Sequence, residues 1–438
     1  MSSLLIGLQI AWLNLREHRR RTLLLASAIA SVTSLLVLLT SLSVGIDRTL
    51  IDSAVTLSAG HVNVAGFFKV NQGQAIPLLS DYQRVSEVVR RTVPEMEFMV
   101  ARGRGGVKIN AENASISALL NGIDLASEAA LRGMLQITSG NIDDLRRPNT
   151  LLLFEQQAKT LSLKVGDAVT LSAETTRGVN NTLDCQVVAI AHDVGLLSSM
   201  NVFVSSESLR SLFQLRPEVS GVLQLHLKAS AVGEIGPIAS RLRSELSKAG
   251  YSVMKADPRA FFEKLDVVTR QSWSGQKLDV TSWQDEVSFL TWTTRALRGM
   301  TGVLIGVLLG VTVAGITNSM WVAVRERTRE IGTLRAIGMQ RASVARLFLM
   351  EAGLLGLLGS LSGGALGVLL TFVINAISLH VPLSVQLFLM RDTLRLALEP
   401  STLITAVGLL TLTACLAAIY PALRAAARRP VDAMSHAG

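Results

Sequence analysis

The stretch VRERTREIGTLRAIGMQRASVARLFLMEAG, residues Val324 to Gly353, is a short charged link between two long apolar runs. Arg325, Glu326, Arg329 and Glu330 set charges at helical spacing, while Ile331, Leu334, Ala336 and Ile337 supply an apolar patch. Gly338 then offers a hinge before a second helical run. An amphipathic piece of this kind suits docking into a groove on a soluble partner. The plainer alternative is a solvated turn at a membrane surface.

Working outward, the apolar runs on either side are two of four charge-sparse stretches long enough to cross a bilayer, which needs about 20 helical residues. The first runs from Thr22 to Ile46, and its 25 residues exceed the apolar core of a cleaved signal peptide. The second runs from Gly299 to Val324, and the fourth spans Pro400–Leu423. Between them an uncharged stretch of 39 residues, Ala352–Met390, is longer than one helix needs. We read it as a helix over 343–379, broken at His380 and Pro382, followed by a loop over 380–399. A mean hydropathy of +0.42 with 17% charged residues agrees with a chain largely in a membrane.

Charge then gives the orientation. Arg16, Arg19, Arg20 and Arg21 precede the first span, Arg325, Arg327, Arg329, Arg335, Arg341 and Arg346 lie in the link, and Arg424, Arg428 and Arg429 follow the last span. All three clusters fall on one side, which the positive-inside rule makes cytoplasmic. Residues 47–286 carry 25 basic and 26 acidic side chains, so the net charge of +9 resides in the membrane flanks and gives no support to a nucleic-acid partner. The expected arrangement is an interfacial amphipathic helix at 1–21, a span at 22–46, a non-cytoplasmic domain at 47–285, stalk and span at 286–324, a cytoplasmic link at 325–342, and a cytoplasmic tail at 424–438.

The large domain reads as mixed α and β. β-rich runs occur at His61–Val64, Ser115–Leu120, Ala168–Ser172, Leu183–Ile190, Asn201–Val204 and Gly221–Leu227, with helical patterns at Asp81–Arg91 and Val232–Leu246. Its last part, Arg259–Arg298, is expected to form a helical stalk. The predicted fold class is therefore four transmembrane helices plus a large α+β domain.

Gly302, Gly306 and Gly310 recur every four residues in the second span, as do Gly359, Gly363 and Gly367 in the third. Small residues so spaced let helix backbones approach closely, although glycine is also simply common in membrane helices. No Asp, Glu, Lys or Arg sits mid-span, which argues against ion-coupled transport. The sequence has no GxxxxGK[ST] and no HExxH, and its six histidines are scattered. Ser274-Gly275-Gln276-Lys277 matches a bare SxxK, which without companion motifs reads as a polar linker. Cys185 and Cys415 form no disulfide framework.

RERTREIGTLRAIGM, beginning at Arg325, resembles the hallmark of the FtsX-like permeases, the family of MacB, LolC and LolE. Tyr420-Pro421-Ala422, Arg424-Ala425-Ala426 and Pro430-Val431-Asp432-Ala433-Met434 resemble that family's C-terminal ending. Ser58–Val62, Gly122-Ile123-Asp124 and Val165-Gly166-Asp167 resemble recurring points of its large domain. The resemblance implies a MacB/LolC-like permease of the inner membrane, non-catalytic itself, whose partner P-loop ATPase binds ATP and Mg. By that analogy Glu326, Arg329, Glu330, Ile331, Leu334, Arg335 and Gly338 form the ATPase-docking surface. A second permease chain, identical or related, would complete the complex. A periplasmic domain of two subdomains is also implied.

A fused ATPase precedes the permease in MacB-type pumps, so a separate ATPase is expected here. That layout most resembles the lipoprotein-releasing LolC/LolE branch, with a lipoprotein as cargo. The alternatives are MacB-like export with a periplasmic adaptor, and an FtsX-like scaffold that switches a periplasmic hydrolase.

Overall fold

The computed structural model describes residues 2–69, 75–379, 381 and 393–427, and the chain divides into two compact units. One comprises 1–48, 295–380 and 393–438, the other 49–294 with 381–392. Four helices are long and apolar enough to span a membrane: Arg19–Ser58, Thr294–Glu326, Arg341–Ile377 and Pro400–Ala427. The fold class read from the sequence, four such helices and an α+β domain, is the one found.

In the membrane unit the N-terminal helix Ser2–Glu17, the four spans and the short helix Thr328–Ala336 share one apolar core, which includes Leu15, Ile29, Met320, Ile331, Phe348 and Ala418. Apolar burial here fixes packing between helices, while their outer faces keep Val303, Val307 and Val311 exposed for lipid. The third helix stops at Ile377, where Ser378 turns left-handed with φ 51°. His380 and Pro382, to which the sequence assigned this break, lie outside the described residues, as does most of 380–392.

The glycines of the third span sit where close approach demands them. A Cβ built on Gly363 would lie 2.3 Å from the Ala30 carbonyl oxygen of the first span. Gly359 and Gly367 meet Ile29 and Val37 of that span at 2.9 Å in the same way. Gly302, Gly306 and Gly310 of the second span face open space.

The α+β unit is built on eleven strands: β1 (Val62–Lys69), β2 (Ala75–Ile76), β3 (Met96–Asn110), β4 (Ser115–Ile123), β5 (Ile137–Gly140), β6 (Thr150–Phe154), β7 (Ala168–Glu174), β8 (Asn180–Ala191), β9 (Asn201–Ser205), β10 (Val222–Leu227) and β11 (Gly275–Ser282). The main path runs β11-β1-β10-β3-β4-β9-β6-β8-β5, with β7 joining β3 to β8. Helices Tyr82–Thr92 and Ile235–Lys248 bury Val85, Val89, Leu242 and Leu246 against β1, β10 and β11. A second core gathers β4, β7, β8 and β9 with Leu209 and Leu212 of helix Ser206–Phe213.

Strand β3 belongs to both cores. Its first half pairs with β10 through Arg102, and its second half pairs with β4 from Gly103 onward. The boundary between the two halves of the domain therefore falls inside one continuous strand.

One expectation needs correction here, and one strand was missed. The helical stalk predicted over Arg259–Arg298 is broken, because Gly275–Ser282 is strand β11, paired along its whole length with β1. A long helix starts only at Ser288. Polar residues on the inward face hid this strand: Asp279 is buried and accepts a 2.7 Å bond from buried Lys264. Strand β3 went unread for a related reason, since Arg102 and Arg104 point inward where an alternating pattern calls for apolar side chains.

Candidate functional site

Two constellations stand out, one in each unit. The first is the charged link. The second-span helix ends at Glu326, the short helix Thr328–Ala336 follows, Gly338 adopts φ +106°, and the third helix begins at Arg341. Only a residue without Cβ takes that dihedral without strain, so the turn is tied to glycine.

The link, short helix and flanking residues together, has two faces. Glu326, Arg329, Glu330 and Gly338 are exposed, and Ile337 is 80% exposed. Ile331 is buried in the bundle core. Arg335 is partly buried and donates from Nη1 to the Ala426 carbonyl at 2.7 Å. The side chain of Leu334 lies outside the described residues. Of the seven residues expected to dock a partner, four thus form an outward face, while Ile331 and Arg335 hold the helix to the bundle. Charge pattern alone cannot separate these roles, because both faces carry arginine.

Behind this helix lies an ionic cluster that the sequence reading missed. Arg327 Nη1 donates to Glu351 Oε2 at 3.0 Å, and both side chains are less than a tenth exposed. Arg21 reaches the same carboxylate at 3.6 Å and Glu326 at 3.2 Å. The first, second and third spans are joined at this point by charge. Glu351 sits at the very edge of the uncharged stretch, and a carboxylate beside an apolar run was the available signal. Removing one member of a buried pair leaves the other uncompensated, so the cluster fixes geometry more than it adds stability.

The second constellation is in the α+β unit, where the chain leaves the first span through a π-helical turn, Ala54–Ser58. Arg102 and Arg104, two residues apart on β3, share a face of the strand. Arg102 Nη1 donates to the Leu57 carbonyl and Nη2 to the Thr56 carbonyl, each at 2.9 Å. Its charge is balanced by Glu128, which accepts from Nε at 2.8 Å and also from Nη2. Arg104 Nη1 bonds the Ser58 carbonyl at 3.3 Å and Glu286 at 3.2 Å. Gln224 also donates to the Ser58 carbonyl, at 3.0 Å.

Glu286 ends the short helix Trp283–Glu286, just before the helix of the second span. The segment leaving the first span and the segment entering the second are thereby held by adjacent arginines of one strand. Among the described residues no cluster of His, Cys, Asp and Glu could hold a metal ion.

Four long apolar helices, with a charged helix anchored on their bundle and an arginine clamp on the segments flanking two of them, define a multi-pass membrane protein. Residues 302–430 match the family described as FtsX-like permease C-terminal. The macrolide export ATP-binding/permease protein MacB 1 of Yersinia pestis bv. Antiqua (strain Antiqua) is 27% identical over 261 residues, covering 54% of this chain and 38% of that protein. The "Probable syringafactin export ATP-binding/permease protein SyfD" of Pseudomonas syringae pv. tomato is 25% identical over 434 residues, covering 97% of this chain and 58% of its own. The chain thus spans between about a third and three fifths of these relatives. The periplasmic region of MacB from Actinobacillus actinomycetemcomitans aligns with 45% of the chain at 13% identity and a TM-score of 0.29, covering 88% of that structure.

Proposed function

We propose that this chain is the permease subunit of an ABC-type export assembly. Motion of a cytoplasmic P-loop ATPase, which holds ATP and Mg, would reach the α+β domain through the spans. The carrying observation is the outward face of the link, Arg329 and Glu330 on the short helix with Glu326 and Gly338 at its flanks, mounted beside the buried Arg327–Glu351 pair. A face exposed to solvent yet rigidly mounted is what a docking surface requires.

The FtsX-like match over 302–430 and the export names of the sequence relatives support this reading. Release of lipoproteins, the branch that the sequence first suggested, has no support among those relatives, and export with a periplasmic adaptor is the better-supported course. The basic flanks support a reading with the link and both termini in the cytoplasm and the α+β domain outside it. The open glycines Gly302, Gly306 and Gly310 offer a face for a second permease chain in the lipid.

The test is affinity purification of the tagged chain from mild detergent, with identification of co-purifying proteins and an ATPase assay. A P-loop ATPase should co-purify, and Arg329→Glu with Glu330→Lys should abolish its retention while the melting temperature of the permease stays unchanged. Full ATPase retention and activity in that double variant would sink the docking face.

A further inference from the structure

The N-terminal helix Ser2–Glu17 and the first span meet at a corner that the docking face does not use. Thr22 Oγ1 donates to the Leu15 carbonyl at 2.9 Å. In a straight helix residues seven apart stand about 10 Å apart along the axis, so the chain bends sharply between them. A cleft of about 260 Å³ opens at this corner. Its walls include Trp12, Leu15 and Leu23, Leu358 of the third span, and Arg16 and Arg19.

The cleft crosses two levels of the membrane unit. Arg21 lies 3.6 Å from Glu351, which marks the charged level on the third span. Leu358 stands further along that span by about 10 Å of helix, inside the apolar run. One end of the cleft therefore carries arginine stems and the ring of Trp12, a residue type that settles at headgroup depth, and the other end lies among hydrocarbon. Trp12 and Leu23 are 51% and 68% exposed, so surrounding lipid has access to it.

Charge selects which lipid. Of Arg16, Arg19, Arg20 and Arg21, the last is paired with Glu326 and Glu351. The other three are exposed and have no ion pair among the described residues. Arg19 Nε donates to the Arg16 carbonyl at 3.2 Å, which holds its side chain back over the Arg16 turn. Glu17, the one acid beside them, does not line the cleft. Two unbalanced guanidinium groups above an apolar groove complement a negatively charged headgroup that carries an acyl chain. We propose that this corner is a site for one anionic phospholipid, with an acyl chain along Trp12, Leu23 and Leu358 and the phosphate held by Arg16 and Arg19. The claim rests on the four membrane-spanning helices and holds whether or not an ATPase docks on the link.

The experiment uses the full chain in phosphatidylcholine nanodiscs that contain a trace of phosphatidylglycerol with a diazirine midway along one acyl chain. Adducts, mapped by peptide mass spectrometry, should concentrate on the peptides of Trp12, Leu23 and Leu358. Unlabelled phosphatidylglycerol should compete, whereas inorganic phosphate and further phosphatidylcholine should not. Arg16→Gln and Arg19→Gln should each lower labelling of the corner about fivefold, the factor that one arginine near a membrane surface supplies, with the melting temperature unchanged because both side chains are exposed. Arg20→Gln removes the same charge from the corner but no wall of the cleft, and should leave labelling within about twofold. Adducts spread evenly over the spans, equal competition by phosphatidylcholine, or an equal loss in Arg20→Gln, which would reduce the effect to general attraction by a basic flank, would each overturn the proposal.

Discussion

Replacing Glu351 by Gln tests whether the ionic cluster behind the short charged helix sets that helix in place. Glu351 accepts from Arg327 at 3.0 Å and lies 3.6 Å from Arg21, with its side chain 4% exposed. Breaking a buried pair from one side costs about 3–5 kcal/mol, because the remaining charge stays desolvated. Glutamine keeps one acceptor oxygen, and Arg21 retains Glu326 at 3.2 Å, so the lower end applies and we expect about 3 kcal/mol. Arg327→Met alone should cost a similar amount, because Glu351 then keeps only the longer 3.6 Å contact to Arg21. The double variant should cost less than the sum by about 2 kcal/mol or more, since removing both charges removes the desolvation penalty as well.

Amide hydrogen exchange of residues 328–336, read as local opening free energy, is the assay. The single variants should loosen that segment, and the double should restore much of its protection. Additive losses, or unchanged exchange in Glu351→Gln, would refute the view that this cluster positions the helix.

Gly363→Ala should destabilise the bundle by about 1–3 kcal/mol, because the new methyl meets backbone of the first span, whereas Gly306→Ala should leave the melting temperature of the isolated chain unchanged. Thermal unfolding of the two variants in one detergent distinguishes them. Ile331→Ala should lower that temperature through lost core burial, by about 2–5 kcal/mol, in contrast to substitutions on the outward face of the same helix. His226 is held neutral by burial and by nearby Arg102 and His61, its pKa lowered to about 3. A group with a depressed folded pKa contributes stability that is complete above the unfolded value of 6.5 and lost as pH falls toward the folded one. The α+β unit should therefore weaken by about 1.4 kcal/mol per pH unit between 6.5 and 3 on this account, and His226→Phe should flatten the dependence in pH-resolved melts.

The membrane architecture was legible because apolar length and arginine flanks are properties of the chain itself. So were β4, β7, β8, β9 and β10, where alternation or β-branched runs survive. Strands β3 and β11 were opaque because their inward positions include Arg102, Arg104 and Asp279, whose partners come from distant segments. The link stood out in the sequence as a distinctive element, yet its faces could not be assigned. Whether Ile331 or Ile337 is buried depends on what the third and fourth spans bring beside them, and the helical period alone admits either choice.

Strand β3 is 15 residues long, roughly 50 Å at about 3.3 Å per residue, and its two clamping arginines stand near its midpoint. A strand paired from end to end, first with β10 and then with β4, is a stiff beam, and a beam loaded at its middle tilts like a seesaw rather than bending at one end. Any twist delivered through Thr56–Ser58 or Glu286 would arrive at a single fulcrum and carry the two cores in opposite senses. Such a domain would answer one input with two coordinated displacements, opening on one flank as it closes on the other.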